Sequence, residues 1–172
     1  MEVVEFGRLS GDQRAELEGD ELDPFDAHRI DPKLQWRAKD RHVALRGSDR
    51  RLLASVGLLL AELQVGDRPV MPVVGIGGVI VAARCRGRGL ADRVIVEALG
   101  RAATLGPGVA ILFCHRDRAG LYERHGFAEI DPPVLVEQPD GFVETPQVSM
   151  WRAIHEGVTF PAGRVIVHSF PF

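Results

Sequence analysis

The apolar residues of the chain change their period twice. From His42 to Val81 they fall into strand-length runs divided by turns: His42-Val43-Ala44-Leu45-Arg46, then Gly47-Ser48-Asp49, then Leu52 to Val65, then Gly66-Asp67-Arg68-Pro69, then Val73 to Val81. Runs rich in Val, Ile and Leu and bounded by Gly, Asp and Pro read as strands, and three joined by short turns form an antiparallel meander. From Leu90 the period becomes helical, with Leu90, Ala91, Val94, Ile95, Ala98, Leu99 and Ala102 on one side and Asp92, Arg93, Glu97 and Arg101 on the other. Such a helix lies on a sheet by one face. Val109 to Cys114 is then uninterrupted apolar sequence. Its length suits a strand covered on both faces, and its arrival by a helical crossover predicts parallel pairing with Val73–Val81.

The flanks carry weaker patterns. Val3 to Phe6 reads as a first strand, and Ser10 followed by Gln13 reads as the capping box of a helix. Residues 12 to 40 are mostly polar and read as two helical pieces, interrupted at Asp23-Pro24 and Asp31-Pro32 because the residue before proline avoids the helical basin. Downstream, Asp117 is the expected N-cap of a short helix from Arg118 to Arg124, with Gly126 ending it in the left-handed conformation. Val134 to Glu137 and Phe142 to Trp151 flank a turn at Pro139-Asp140-Gly141, and the tail from Thr159 to Phe172 is expected to fold back onto the sheet.

Composition narrows the class. The 172 residues, 45% hydrophobic and 26% charged, suit one domain spanning 1–172. The start, Met1-Glu2-Val3-Val4-Glu5-Phe6, lacks the basic and apolar regions of a signal peptide, and no run has the length of a membrane span, so a soluble cytoplasmic protein is expected. A net charge of −3 argues against a broad nucleic-acid or anionic-membrane surface. Cys85 and Cys114 have no C-x-x-C or histidine neighbours, so neither a disulfide framework nor a metal site is expected.

The stretch with the most chemical content is Val79 to Ala91, where a β-branched strand meets a basic, glycine-punctuated turn and then the amphipathic helix. Gly87 and Gly89 permit positive φ and close approach of an anion. The helix start adds unpaired N–H groups and the positive end of its dipole, and Arg84, Arg86 and Arg88 add side-chain charge. The spacing fits neither the P-loop nor the dinucleotide-binding glycine pattern.

The Arg84-x-x-Gly87-x-Gly89 turn, the crossover helix, the buried strand and then Ala119-x-x-Tyr122-x-x-x-Gly126-Phe127 together resemble the GNAT superfamily of N-acetyltransferases. Gly75 to Phe127 and the tail, Phe160 to Gly163 through Ser169 to Phe172, also resemble the branch of aminoglycoside 2'-N-acetyltransferases and nodulation acyltransferases. The resemblance implies a mixed, mostly antiparallel sheet of about six to seven strands with a parallel, splayed central pair and flanking helices. It implies acetyl-CoA as co-substrate, with the diphosphate held by the backbone of Arg86, Gly87, Arg88, Gly89, Leu90 and Ala91. It implies that Val79, Ile80 and Val81 pair with the pantetheine arm and offer an N–H to the thioester oxygen. Tyr122, the chain's only tyrosine, falls where relatives keep the acid that protonates the departing thiolate.

The proton acceptor is not assigned by the resemblance. Some relatives carry a glutamate on the strand before the turn, where this chain has Gly75-Ile76-Gly77-Gly78, so Glu62 and His115 stand as candidates, each with a surface or capping role as its alternative. The tail resemblance further implies that the terminal carboxylate of Phe172 enters the acceptor pocket, with an edge strand or a homodimer contact as the alternative. The expected activity is transfer of acetyl to a primary amine, of a small molecule, by direct attack in a ternary complex. A ping-pong route through Cys114 lacks partners, and a protein acceptor or a non-catalytic acyl-CoA-binding regulatory module are the alternative readings.

Overall fold

A computed structural model describes residues 1–19, 32–131 and 133–172. The proline interruptions expected at residues 23–24 and 31–32 fall in or against residues 20–31, outside the described residues. Strands β1 (Glu2–Phe6), β2 (Arg41–Arg46), β3 (Leu52–Val65), β4 (Met71–Val81), β5 (Val109–Cys114), β6 (Ala128–Glu129), β7 (Val134–Gln138), β8 (Gly141–Glu144), β9 (Val148–Ala153) and β10 (Val165–Val167) form one ten-stranded sheet. The main path runs β6-β9-β5-β4-β3-β10-β7-β8, with β2 and then β1 branching from β3. The pairings are antiparallel except β4 with β5 and β10 with β7. The sheet is thus the expected mixed, mostly antiparallel one. Its strand number exceeds six or seven because β6, β8 and β10 have only two, four and three residues, too few to display a period.

Each face of the sheet has its own cover. Helix α2 (Leu90–Ala102) places Val94, Ile95, Ala98 and Ala102 against Val56 and Leu58 of β3, Val74 and Ile76 of β4, and Ala110 and Leu112 of β5. On the other face Val109, Ile111 and Phe113 meet Leu59, Leu63, Val73, and the tail residues Val165, Val167 and Phe172. Every residue of β5 is buried, which is why its sequence shows no alternation. Helix α1 (Gly11–Glu18) carries the expected capping box between Ser10 and Gln13 and buries Leu17 beside Ala44, Leu52 and Ile80.

Three local expectations are corrected. The second helical piece is absent among residues 32–40, which form a turn and extended chain stitched down by tertiary hydrogen bonds. Gln35 N–H donates to Gln138 Oε1, Arg37 N–H to the Pro171 carbonyl and Asp40 N–H to the Leu58 carbonyl. Phe142–Trp151 is two strands, because Thr145-Pro146-Gln147 turns the chain and carries β9 to the far edge of β5. Asp117 does not cap the short helix α3 (Ala119–Glu123): it lies inside a 3-10 turn, Arg116–Arg118, that leads into α3.

Candidate active site

The central pair β4 and β5 is joined only at Val74–Ala110, Gly75–Ile111 and Ile76–Leu112. Beyond Ile76 the strands part, so one edge of β4 from Gly77 to Val81 faces an opening instead of a strand. The same stretch is kinked. Gly57 of β3 pairs with Gly77 and Ser55 with Ile80, so Gly78 and Val79 stand opposite the single residue Val56. This is a β-bulge with Gly78 at φ +61°, and it bends β4 away from β5 while re-aiming its free backbone groups. The parallel, splayed central pair expected of the fold is present.

Past β4 a 3-10 turn at Ala83–Cys85 leads through Gly87 (φ +72°) to Gly89 (φ +69°, ψ +15°), the N-cap of α2. Gly89 offers no side-chain cap, so the first N–H groups of a 13-residue helix stay open to a ligand. Among the described residues, and apart from each glycine's own chain neighbours, no atom lies within 4 Å of where a Cβ would stand on either one. Their requirement is therefore conformational, and the space above the turn is clear for an anion. Asp92 anchors the helix start from beneath, with Oδ1 accepting from Arg124 at 3.2 Å and 3.0 Å from His125 Nε2. Arg84 points away: its guanidinium donates to the carbonyls of Leu52 (2.8 Å) and Glu16 (3.3 Å), tying α1 to the sheet rather than adding charge to the turn.

Turn and splay open into one cavity of about 830 Å3. Of the coenzyme residues expected, Val79, Ile80, Val81, Arg86, Gly87, Gly89, Leu90 and Ala91 line it, and exposed Arg88 does not. Tyr122 and His115 line it on the β5 side, Tyr122 buried with its ring edge-on to Phe127 at 6.1 Å. Burial and then the neighbouring Cys114 push the Tyr122 phenol above its ordinary value, so it stays protonated. Cys114 is buried with its Sγ 3.9 Å from Met150 Sδ, and burial pushes its thiol up to about 11, the opposite of what a nucleophilic thiolate needs. Glu62 is exposed on β3 and lies outside the cavity lining, so it is not brought together with Tyr122.

Sequence reasoning missed Lys39, His42 and Trp36, which line the opposite wall. His42, Gly57 and Gly77 occupy one lateral row across β2, β3 and β4. The two glycines leave a trough that Lys39 fills: a Cβ on Gly57 would meet Lys39 Cγ at 2.2 Å, and one on Gly77 would meet Lys39 Cε at 3.1 Å. Phe172 closes the trough, its ring 2.5 Å from a Cβ built on Gly75 and its carbonyl oxygen 2.8 Å from one on Gly77. Phe172 also packs edge-on to Phe113. The tail thus enters the cavity wall while β10 pairs with both β3 and β7. A row of facing glycines signals that another segment must fill the space, but only the fold says which.

Burial, and then the nearby Arg14 charge, lower the Lys39 ammonium from 10.5 to about 8. Below about pH 8 the folded state bears the whole penalty of a buried charge, and the penalty fades as pH rises toward the unfolded value of 10.5. The shift of roughly two to three pH units corresponds to about 3 kcal/mol. Lys39→Met is therefore expected to raise Tm by several degrees at pH 7, with the gap to wild type narrowing above pH 8, as differential scanning calorimetry at both pH values would show. His42 is pushed below its ordinary value by burial foremost; its Nδ1 lies 3.0 Å from the Gly7 carbonyl oxygen, which only accepts, so Nδ1 carries the proton.

The splayed, bulged central pair, the uncapped helix start and the cavity joining them are the marks of the GNAT acetyltransferase fold. The chain belongs to that family: the model of the acetyltransferase (GNAT) domain matches residues 20–130. Solved structures share the fold at low identity. A crystal structure described as a putative N-acetyltransferase from Lactobacillus plantarum has 18% identity and a TM-score of 0.58, with 90% of this chain and 100% of that chain covered. N-acetylglutamate synthase from Neisseria gonorrhoeae, complexed with coenzyme A and N-acetyl-glutamate, has 16% identity and a TM-score of 0.58 over 91% of this chain and 36% of that one. The GNAT family N-acetyltransferase YhbS from Escherichia coli, in complex with CoA, has 19% identity and a TM-score of 0.55 over 96% and 89%. No curated protein sequence matches significantly. Among the described residues no helix is long and apolar enough to cross a membrane, and no cluster of His, Cys, Asp and Glu is arranged to hold a metal.

Proposed function

We propose that the chain, acting as a single domain, transfers acetyl from acetyl-CoA to the primary amine of a small molecule. The observation that carries this reading is the continuity of one cavity from the open N–H groups of α2 to the free edge of β4 and on to Tyr122. Positive-φ glycines with clear space, an uncapped helix start and an unpaired strand edge are the donors a diphosphate and an amide-bearing arm require, so the residues present fit the coenzyme. Bound there, acetyl-CoA supplies an acetyl thioester whose carbonyl carbon the acceptor nitrogen attacks directly.

The chain's own groups then have separate tasks. Backbone N–H groups from Gly87 to Ala91 hold the phosphates, while the Arg86 N–H closes the preceding turn on the Ala83 carbonyl at 3.3 Å. The bulge at Gly78–Val79 turns an N–H of β4 toward the carbonyl oxygen, and one donor aimed at developing negative charge is worth about 3 kcal/mol. Tyr122 delivers its proton to the departing sulfur, and the proton that the acceptor nitrogen sheds as the amide forms restores the phenol. Cys114 stays a protonated, buried thiol and takes no part. The cavity, walled by β2, α1 and the tail, suits a small acceptor better than a protein segment.

The test is a melting curve with and without acetyl-CoA, paired with an assay of thiol release. At ligand about 100 times Kd the native state gains about 2.7 kcal/mol, which for a chain of this size raises Tm by roughly 5–10 °C. ATP and NAD are expected to leave Tm unchanged. No rise with acetyl-CoA contradicts the reading, and a rise without acetyl transfer to any of a panel of amines favours the non-catalytic module.

A further inference from the structure

Lys39 is a charged group that acetyl transfer leaves without a task. Its side chain runs along the glycine trough to the bulge, with Nζ 3.6 Å from a Cβ built on Gly78. We propose that Lys39, with Trp36 in the same cavity wall, forms a subsite for a carboxylate on the acceptor, so that the amine acetylated is that of an amino acid or a similar carboxylate-bearing amine. The proposal rests on the acetyl-transfer reading above and names its acceptor class.

Two donors at this wall, one half-buried and one buried, have no acceptor among the described residues. Among the described residues no hydrogen bond or ion pair holds Lys39 Nζ, and its charged neighbour is a second cation, Arg14. Trp36 Nε1 is buried without a hydrogen-bond partner. An unpaired donor costs about 1–3 kcal/mol when it is taken out of water, and more when charged, so the Lys39 ammonium in the cavity wall marks a place where a ligand's acceptor atom belongs.

The surroundings select the sign of that ligand. From α1, Arg14 faces the site with Glu18 already engaged at 3.4 Å; from β2 comes His42; β3 and β4 offer only Gly57, Gly77 and Gly78; the tail brings the terminal carboxylate of Phe172 beside Gly77, where it forms no ion pair with Lys39. Across the cavity stand His115, Arg118 and Tyr122, and the acid there, Asp92, is bound to Arg124 and His125. A polycation such as an aminoglycoside, the acceptor implied by the narrower resemblance, meets repulsion at this wall, whereas a carboxylate meets an unsatisfied ammonium.

Position separates this subsite from the phosphates. Gly78 precedes the end of β4 by three residues, about 10 Å along the strand from the turn into α2, so Lys39 lies toward the acyl end of the cavity. In an α-amino acid the carboxylate and amine sit on one carbon. A carboxylate on Lys39 therefore leaves the nitrogen beside the splayed edge where the thioester belongs.

The experiment compares matched pairs, each of the standard amino acids against its carboxamide, in wild type and Lys39→Met, by thiol release under saturating acetyl-CoA at pH 7 and 9.5. The expected result is that at least one carboxylate is preferred tenfold or more in kcat/KM. Lys39→Met is expected to abolish the preference through KM, Lys39→Arg to restore part of it, and the KM for acetyl-CoA to stay within twofold. Because the ammonium must be protonated to bind, the acceptor KM of wild type is expected to rise as pH passes about 8, and that of Lys39→Met to lack this rise. Carboxamides used as well as carboxylates, a preference that survives Lys39→Met, or loss of kcat with the ratio unchanged each overturn the subsite. Turnover of no panel member, with acetyl-CoA still raising Tm, also overturns it and leaves coenzyme binding standing; no rise in Tm overturns the earlier reading instead.

Discussion

Tyr122→Phe is expected to lower kcat by about 10²–10³ while the Kd for acetyl-CoA stays within twofold. The substitution removes one hydroxyl and keeps the ring, so the edge-on packing against Phe127 and the burial beside Cys114 survive. What is lost is the only phenol in the chain, held protonated at the cavity wall by burial. Its raised pKa makes it a reluctant acid toward a free thiolate, so transfer must accompany breaking of the carbon–sulfur bond. No loss of rate is expected from its ionisation anywhere below pH 10. Steady-state kinetics with calorimetric titration decide the matter, and an unchanged kcat removes the assignment.

The second large effect is expected at Gly89. Gly89→Val places a β-branched residue in the left-handed conformation that caps α2, where L residues are strained by about 1–2 kcal/mol and β-branched ones by more. Space is not the obstacle, because nothing stands within 4 Å of the new Cβ. The turn relieves the strain by moving, which carries the open N–H groups out of register with the phosphates and fills the clear space with a side chain. Acetyl-CoA affinity is expected to fall at least 100-fold, with Tm lowered by only a few degrees. Gly100→Ala, on the exposed side of the same helix, is the control: it is expected to add about 0.5–1 kcal/mol of stability and leave binding unchanged.

What could be read from the sequence follows from how locally each feature is determined. The bounds of β3, β5 and α2 agree with their hydrophobic runs because each pattern is set by the face the element buries. The capping box at Ser10 and the positive-φ glycines at 87, 89 and 126 are short-range chemistry and were equally legible. The polar segment ending at Asp40 was not, because its conformation is fixed by hydrogen bonds to Gln138, Pro171 and Leu58, over sequence separations no local pattern carries. Lys39 and Trp36 sit on that segment and were missed with it. The coenzyme half of the site, built on one strand, one turn and one helix, is legible; the acceptor half, assembled from α1, β2 and the tail, is not.

Amide hydrogen exchange with and without acetyl-CoA tests most directly whether the α2 turn and the free edge of β4 are the binding surface. Slowed exchange is expected at the amides of residues 79–81 and 86–91, with the far strands β7 and β8 unchanged. Saturating acetyl-CoA that leaves residues 86–91 exchanging as in the free protein, or protects another surface in their place, contradicts that assignment.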